Sequence, residues 1–137
     1  MNTNLIILIT AFLTRLIYLL LMDLDLSTHI YEDQVLYWGW SENLAFTKWS
    51  KIELNYLNER MPGAFFFFEL LMWITKKNLF YMLLIQIALD SFTCLVIARS
   101  SRLIKKDVFL ITGLFASVSP LLIILSTQIL SETLFLF

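Results

Sequence analysis

The sequence predicts an all-α integral membrane protein, a multi-spanning helical bundle whose large extracytoplasmic first loop carries amphipathic interfacial helices. Of its 137 residues, 59% are hydrophobic and 15% aromatic, and the mean hydropathy is +0.78. A soluble domain averages about 45–50% apolar residues, so this composition indicates a membrane protein. Acids and bases are segregated along the chain and the net charge is -1, which gives no support for nucleic-acid binding. The single cysteine, Cys94, excludes an intrachain disulfide and a cysteine metal cluster.

Residues 5–22 form the first predicted transmembrane helix. This apolar run is close to the roughly 20 residues that a spanning helix needs. The chain start lacks the basic residues of a cleaved signal peptide, which favours an uncleaved anchor. Arg15 interrupts the run, and a charge is costly inside a bilayer. We expect Arg15 to snorkel to the surface, to face other helices or to meet an anion such as a lipid phosphate.

Residues 23–78 form a predicted extramembrane loop with eight acids against five bases, an excess that favours the non-cytoplasmic side. Within it, residues 33–45 can form an amphipathic helix that places Asp33, Tyr37 and Trp40 on one face. Residues 62–75 are apolar but too short to span a membrane, and they include an acid, Glu69. We predict an interfacial or partly re-entrant helix there, with its proline in the first turn.

Residues 79–98 have full spanning length, and the short segment 99–107 that follows carries four bases and one acid, as cytoplasmic loops do. Asp90 lies in the middle of this helix, and an acid inside a membrane is a functional candidate. We expect it instead to hydrogen-bond to a helix in the part of the bundle that this chain lacks. Residues 108–125 are the third predicted transmembrane helix, with a kink at Pro120. Residues 131–137 begin another apolar run, which we interpret as the start of a fourth helix in a longer protein.

This topology brings three polar side chains to the outer surface: Asp33, Arg60 and Glu132. A carboxylate can act as a general base, and an arginine can bind a phosphate through paired N–H donors. A second carboxylate can position an acceptor or hold a metal ion. A sugar transferase that uses a lipid-phosphate donor needs these groups.

Several motifs, in this order, resemble the N-terminal part of a C-type glycosyltransferase, which uses polyprenyl-phosphate-linked sugars. They are Asp33-x-x-x-Tyr37-Trp38-x-Trp40, Arg60-Met61-Pro62-Gly63, Leu-x-Gln-x-x-Leu-Asp-Ser-x-Thr-Cys at 84–94, Ser119-Pro120, and Ser126-x-x-x-x-Ser131-Glu132. The resemblance covers nearly the whole chain and is greatest to the protein O-mannosyltransferase and aminoarabinose transferase group (glycosyltransferase family 39-like). The family often has Asp-Glu where this chain has Asp33-Gln34, and Lys-Pro-Pro where it has Arg60-Met61-Pro62.

The resemblance implies that residues 1–137 are the N-terminal part of one transmembrane glycosyltransferase domain. Asp33 would be the general base that deprotonates a hydroxyl or amine acceptor, which is a protein or a lipid-linked glycan. Because Glu32 precedes it, either acid can be that base. Arg60 would stabilise the lipid-phosphate leaving group, and Glu132 would bind the acceptor or a divalent metal. Tyr37 and Trp40 would line the substrate site.

The expected location is the cell inner (plasma) membrane, in contact with membrane lipid and with the active-site loop outside the cytoplasm. We expect the fragment to be inactive on its own, because later helices and loops would complete the site. The alternative is a non-enzymatic membrane protein, an accessory subunit or a piece of a transporter, whose acidic loop binds a partner.

Overall fold

A computed structural model of the chain describes residues 2–22, 24–25, 29–30, 33–43 and 62–136, and this part is helical and contains no strand. The helices are α1 (Thr3–Leu21), α2 (Asp33–Asn43), α3 (Pro62–Thr75), α4 (Leu79–Ser101), a 3-10 turn (Lys106–Val108), α5 (Phe109–Ser117), α6 (Pro120–Ser126) and α7 (Ser131–Leu136). The all-α prediction is therefore confirmed for the described part of the chain.

Two helices, α1 and α4, are long and apolar enough to cross a membrane. A third span results if α5 and α6 form one broken helix, since they are separated by a short break and bent by 54°. The described part of the chain is thus all-helical and has two to three candidate spanning helices, as a membrane protein does. α4 continues past the predicted end at residue 98 to Ser101, and the hydroxyl groups of Ser100 and Ser101 donate back to the carbonyls of Val96 and Ala98.

The break between α5 and α6 has a local cause in the sequence. Pro120 is the first residue of α6, where its missing N–H and fixed φ are tolerated. Ser119, directly before it, has extended backbone angles of φ -62 and ψ 118, as residues before proline prefer. The predicted kink at Pro120 is therefore confirmed.

Contacts divide the chain into two units. The membrane unit comprises residues 1–22, 83–127 and 132–137, and the loop unit comprises residues 23–82 and 128–131. In the membrane unit, α1 buries a stripe of side chains at four-residue spacing, and its other face exposes large aliphatic residues. The stripe consists of Ile7, Ala11, Arg15 and Leu19. Two of its three apolar members, Ile7 and Ala11, belong to the hydrophobic core of this unit. They pack with Cys94, Leu95 and Ala98 of α4 and with Phe109 and Ala116 of α5.

In the loop unit, α2 packs on α3. The Tyr37 ring lies 5.2 Å from that of Phe65 and 5.9 Å from that of Phe68, between ring centroids. The hydroxyl of Ser41 donates to the carbonyl of Phe65 at 3.2 Å. α3 has the bounds that the apolar pattern of residues 62–75 predicts. It ends at two lysines, Lys76 and Lys77, with left-handed φ angles of 53° and 61°.

Candidate functional site

Two hydrogen bonds inside the loop unit join residues 128–131 to α2. The backbone N–H of Ile129 donates to Oε1 of Gln34 at 3.0 Å, and the hydroxyl of Tyr37 donates to Oγ of Ser131 at 3.0 Å. Gln34, Tyr37 and Ile129 are all buried. The two bonds join positions 95 and 94 residues apart in the sequence. The start of α2 and the segment before α7 therefore form one local structure.

Asp33 is the first residue of α2, and its side chain is exposed. An acid at this position complements the positive end of the helix dipole. Because Gln34 and Tyr37 follow it and are both hydrogen-bonded to residues 128–131, the backbone that carries Asp33 is held in place, and its side chain is exposed. This arrangement suits a group that meets a ligand from solution.

The other predicted site residues lie in different surroundings. The Tyr37 side chain, expected on the polar face, is buried because α3 covers it with Phe65 and Phe68. Trp40 belongs to α2, and its side chain lies outside the part that the structure describes. Glu132 is exposed in the first turn of α7 and belongs to the membrane unit. Glu32 and Arg60 lie outside the described residues.

A buried polar cluster in the membrane unit centres on Arg15, which has no exposed surface. Its Nε donates to the carboxylate of Asp90 at 2.5 Å, and its Nη2 donates to the Cys94 sulfur at 3.2 Å. Of the three alternatives for Arg15, the structure shows the one in which it faces another helix; snorkelling was wrong, since Arg15 has no exposed surface. Asp90 does bond to another helix, but that helix is α1 and not a later helix of the bundle, as we had expected. The pairing of Arg15 with Asp90 was not predicted. The signal for it is the presence of one basic and one acidic residue in two otherwise apolar helices.

Arg15 also donates a hydrogen bond to a backbone carbonyl at the helix break. In a continuous helix the carbonyl of Ser117 would accept from the N–H four residues later, but the break at Pro120 removes that partner. Nη1 of Arg15 donates to this carbonyl at 3.0 Å, and the hydroxyl of Thr14 donates to it at 2.8 Å. Two side chains of α1 therefore stabilise the bent end of α5.

Glu69, in α3, is a third buried charged residue, beside Arg15 and Asp90. The side chain is only 4% exposed, and neither carboxylate oxygen has a hydrogen-bond partner among the described residues. Burial raises the pKa of this carboxyl above its ordinary value of 4.5, since removal from water disfavours the charged form.

The described residues contain no group of three or more His, Cys, Asp or Glu side chains that could hold a metal ion. Polar chemistry is concentrated in three places: the exposed start of α2, the Arg15 cluster and Glu69. The first is exposed to solvent, whereas the Arg15 cluster is buried and Arg15 donates four hydrogen bonds there. The chain matches no protein-family model, no curated protein and no solved structure.

Proposed function

We propose that the chain is the N-terminal part of a membrane glycosyltransferase. It transfers a sugar from a polyprenyl-phosphate-linked donor to a hydroxyl or amine acceptor on the extracytoplasmic side. The proposal rests on the ordered resemblance to the C-type transferases. The observation that supports it best is the attachment of residues 128–131 to α2 through Gln34 and Tyr37. Two separate stretches of that resemblance are thereby held together.

The proposed topology has three spans: α1, α4 and the bent pair of α5 and α6. The four bases of segment 99–107 favour a cytoplasmic position for that segment. The loop that contains α2 and α3 then lies outside the cytoplasm, where polyprenyl-linked donors present their sugars to such enzymes. The apolar character of α3 and its length of 14 residues suit a helix at the membrane surface.

In the proposed reaction, the Asp33 carboxylate takes the proton of the acceptor hydroxyl or amine. The acceptor atom forms a bond to the anomeric carbon, and the bond from that carbon to the phosphate oxygen breaks with its electron pair leaving on the phosphate. This single displacement inverts the configuration at the anomeric carbon, and polyprenyl phosphate is released. Arg60 neutralises the charge that develops on this leaving group, an effect that is largest where water is excluded.

The remaining residues have supporting roles in this proposal. Tyr37, buried and bonded to Ser131, holds the start of α2 in place, while Trp40 supplies a wall for the substrate. Glu132 binds the acceptor or a divalent metal, as the resemblance implies. Glu32 is the alternative base, because it directly precedes Asp33 in the sequence.

The test is sugar transfer by the complete gene product in membranes supplied with a labelled polyprenyl-phosphate sugar. We expect Asp33→Asn to lower the transfer rate by about 10²–10⁴-fold, the usual contribution of a general base. Asp25→Asn is the matched control, since Asp25 is another exposed acid of the loop unit. If Asp33→Asn is fully active and Glu32→Gln is not, Glu32 is the base. Undiminished transfer by both variants refutes the assignment, and no transfer by the wild type favours the non-enzymatic alternative.

A further inference from the structure

The turn after α4, residues 102–105, exposes two large aliphatic side chains next to each other. Leu103 and Ile104 are each 90% exposed, the highest values among the exposed large hydrophobic residues of the described chain. An adjacent, fully exposed aliphatic pair is unfavourable in water and commonly marks a surface that something apolar covers. The pair follows directly on a helix that is long and apolar enough to cross a membrane. It therefore lies where that helix leaves the bilayer.

Basic residues flank the pair in the sequence. Arg99, Arg102 and Lys105 are all exposed, and Lys106 follows them in the sequence, against a single acid, Asp107. The guanidinium carbon of Arg102 lies 3.7 Å from the centroid of the Phe109 ring, so this side chain is held at the start of α5 by a cation–π contact. The turn therefore carries an exposed apolar pair that positively charged residues flank in the sequence.

The backbone N–H groups of the turn are hydrogen-bonded within the chain. The N–H groups of residues 102, 103, 104 and 105 donate to the carbonyls of Arg99, Ser100, Ser101 and Ser101, at 3.0–3.1 Å. These bonds continue the last turn of α4, so the four N–H groups are satisfied within the chain and the turn has a defined backbone.

We propose that the turn inserts Leu103 and Ile104 between lipid headgroups, and that Arg99, Arg102 and Lys105 bind the phosphates of anionic phospholipids in the leaflet where α4 ends. The apolar pair supplies burial, and the bases add attraction to a negatively charged surface. Long basic side chains at a helix end reach the phosphate level while their stems cover apolar surface. Charge complementarity favours anionic lipid over a protein partner, because the bases that flank the apolar pair match the phosphates of the bilayer surface at the end of a helix that can cross a membrane. The proposal does not depend on the transferase function.

The test measures lipid contact at the tip of the turn. Leu103→Cys carries a bimane label in the full chain, reconstituted in vesicles that contain brominated phosphatidylglycerol or brominated phosphatidylcholine. The native thiol, Cys94, has no exposed surface, and the wild-type chain reports any background labelling. The same label at Asp107→Cys serves as a control position outside the apolar tip.

We expect lipids brominated near the headgroup to quench the label at position 103 more strongly than the label at position 107. At equal mole fraction, phosphatidylglycerol should quench severalfold more effectively than phosphatidylcholine. High salt, or the double variant Arg99→Gln/Lys105→Gln, should remove this preference, because both act on the phosphate contacts. The control double variant Lys76→Gln/Lys77→Gln, at the turn before α4, should leave the preference for phosphatidylglycerol unchanged. Equal quenching by the two lipids refutes the anionic preference, and weak quenching by both refutes insertion.

Discussion

Arg15 and Asp90 carry opposite charges in two helices that are long enough to span a membrane, and neither has appreciable exposed surface. The Arg15 guanidinium donates to a carboxylate, two carbonyls and a thiol, so most of its N–H groups have acceptors. The loss of hydration offsets much of the attraction in such a pair, and two apolar residues can replace it with little loss. Removal of one partner alone leaves an uncompensated charge in the interior.

We therefore expect Arg15→Met and Asp90→Leu each to lower the free energy of unfolding by about 3–5 kcal/mol. The double variant should recover most of that loss, since neither charge is then left alone. Unfolding in detergent, followed by circular dichroism, gives the four stabilities of a double-mutant cycle. Additive losses in the double variant would mean that the two side chains do not act as a pair.

The carboxyl of Glu69 makes the stability of the loop unit depend on pH. Its pKa in the folded chain is raised above 4.5 by burial, so the folded state holds the proton more tightly than the unfolded state. The protonated group's contribution is fully present below the unfolded pKa and is lost as the pH rises through the raised folded pKa. Glu69→Gln should remove this decline and raise stability at neutral pH. Unfolding midpoints of the wild type and of Glu69→Gln, recorded between pH 4 and pH 8, measure this decline. A decline that persists unchanged in Glu69→Gln contradicts the assignment.

At the scale of elements, Gly113 allows three helices of the membrane unit to approach closely. A Cβ at this position would contact two side-chain carbons of Ile7 in α1, Cγ1 at 2.8 Å and Cδ1 closer still, and would lie 3.0 Å from the Cβ of Ala98 in α4. Small residues permit such approaches between membrane helices. The packing of α1, α4 and α5 thus depends on the missing side chain.

Gly113→Ala should destabilise the chain by about 1–3 kcal/mol, the usual effect of an added group in a packed core. Gly39→Ala is the matched control, because a Cβ on Gly39 would meet no atom within 4 Å and alanine favours the helix. We expect a gain of about 0.5–1 kcal/mol there. The two unfolding midpoints should move in opposite directions, and a stabilised Gly113→Ala would show that α1 and α5 do not pack as described.

Local sequence signals determine much of the fold. The proline before the apolar stretch predicts the start of α3, and the lysine pair after it predicts the end. Pro120 predicts the break between α5 and α6. Contacts between helices were harder to predict, because hydrophobic periodicity weakens where lipid contacts the outer face of a helix. The pairing of Arg15 with Asp90 depends on the rotation and depth of two helices, which neither helix specifies alone.

For the candidate site, the exposed position of Asp33 at the start of a helix agrees with the expectation from the sequence. The burial of Tyr37 does not follow from its own helix, since α2 taken alone leaves that ring on a polar face. It results from the two phenylalanines that α3 places over the ring. Residues 128–131 join α2 through a glutamine that the motif pattern does not emphasise.

At the scale of the whole molecule, the proposed function makes a prediction about residues 1–137 expressed by themselves. They should insert in membranes and fold, as their buried contacts suggest, but should transfer no sugar, since acceptor recognition would require later helices and loops. Transfer assays on the purified 137-residue chain, beside the complete gene product as a positive control, check this. Turnover by the short chain would contradict the proposal that it is part of a larger site.

The most direct measurement of the central claim follows the product of the complete protein supplied with a polyprenyl-phosphate sugar of known anomeric configuration. Nuclear magnetic resonance of the product reports the configuration at the transferred carbon, and extraction reports the lipid released. A single displacement with Asp33 as base predicts inverted configuration and one polyprenyl phosphate for each sugar transferred. Retained configuration, or no transfer from any polyprenyl-phosphate hexose or pentose donor, would contradict it.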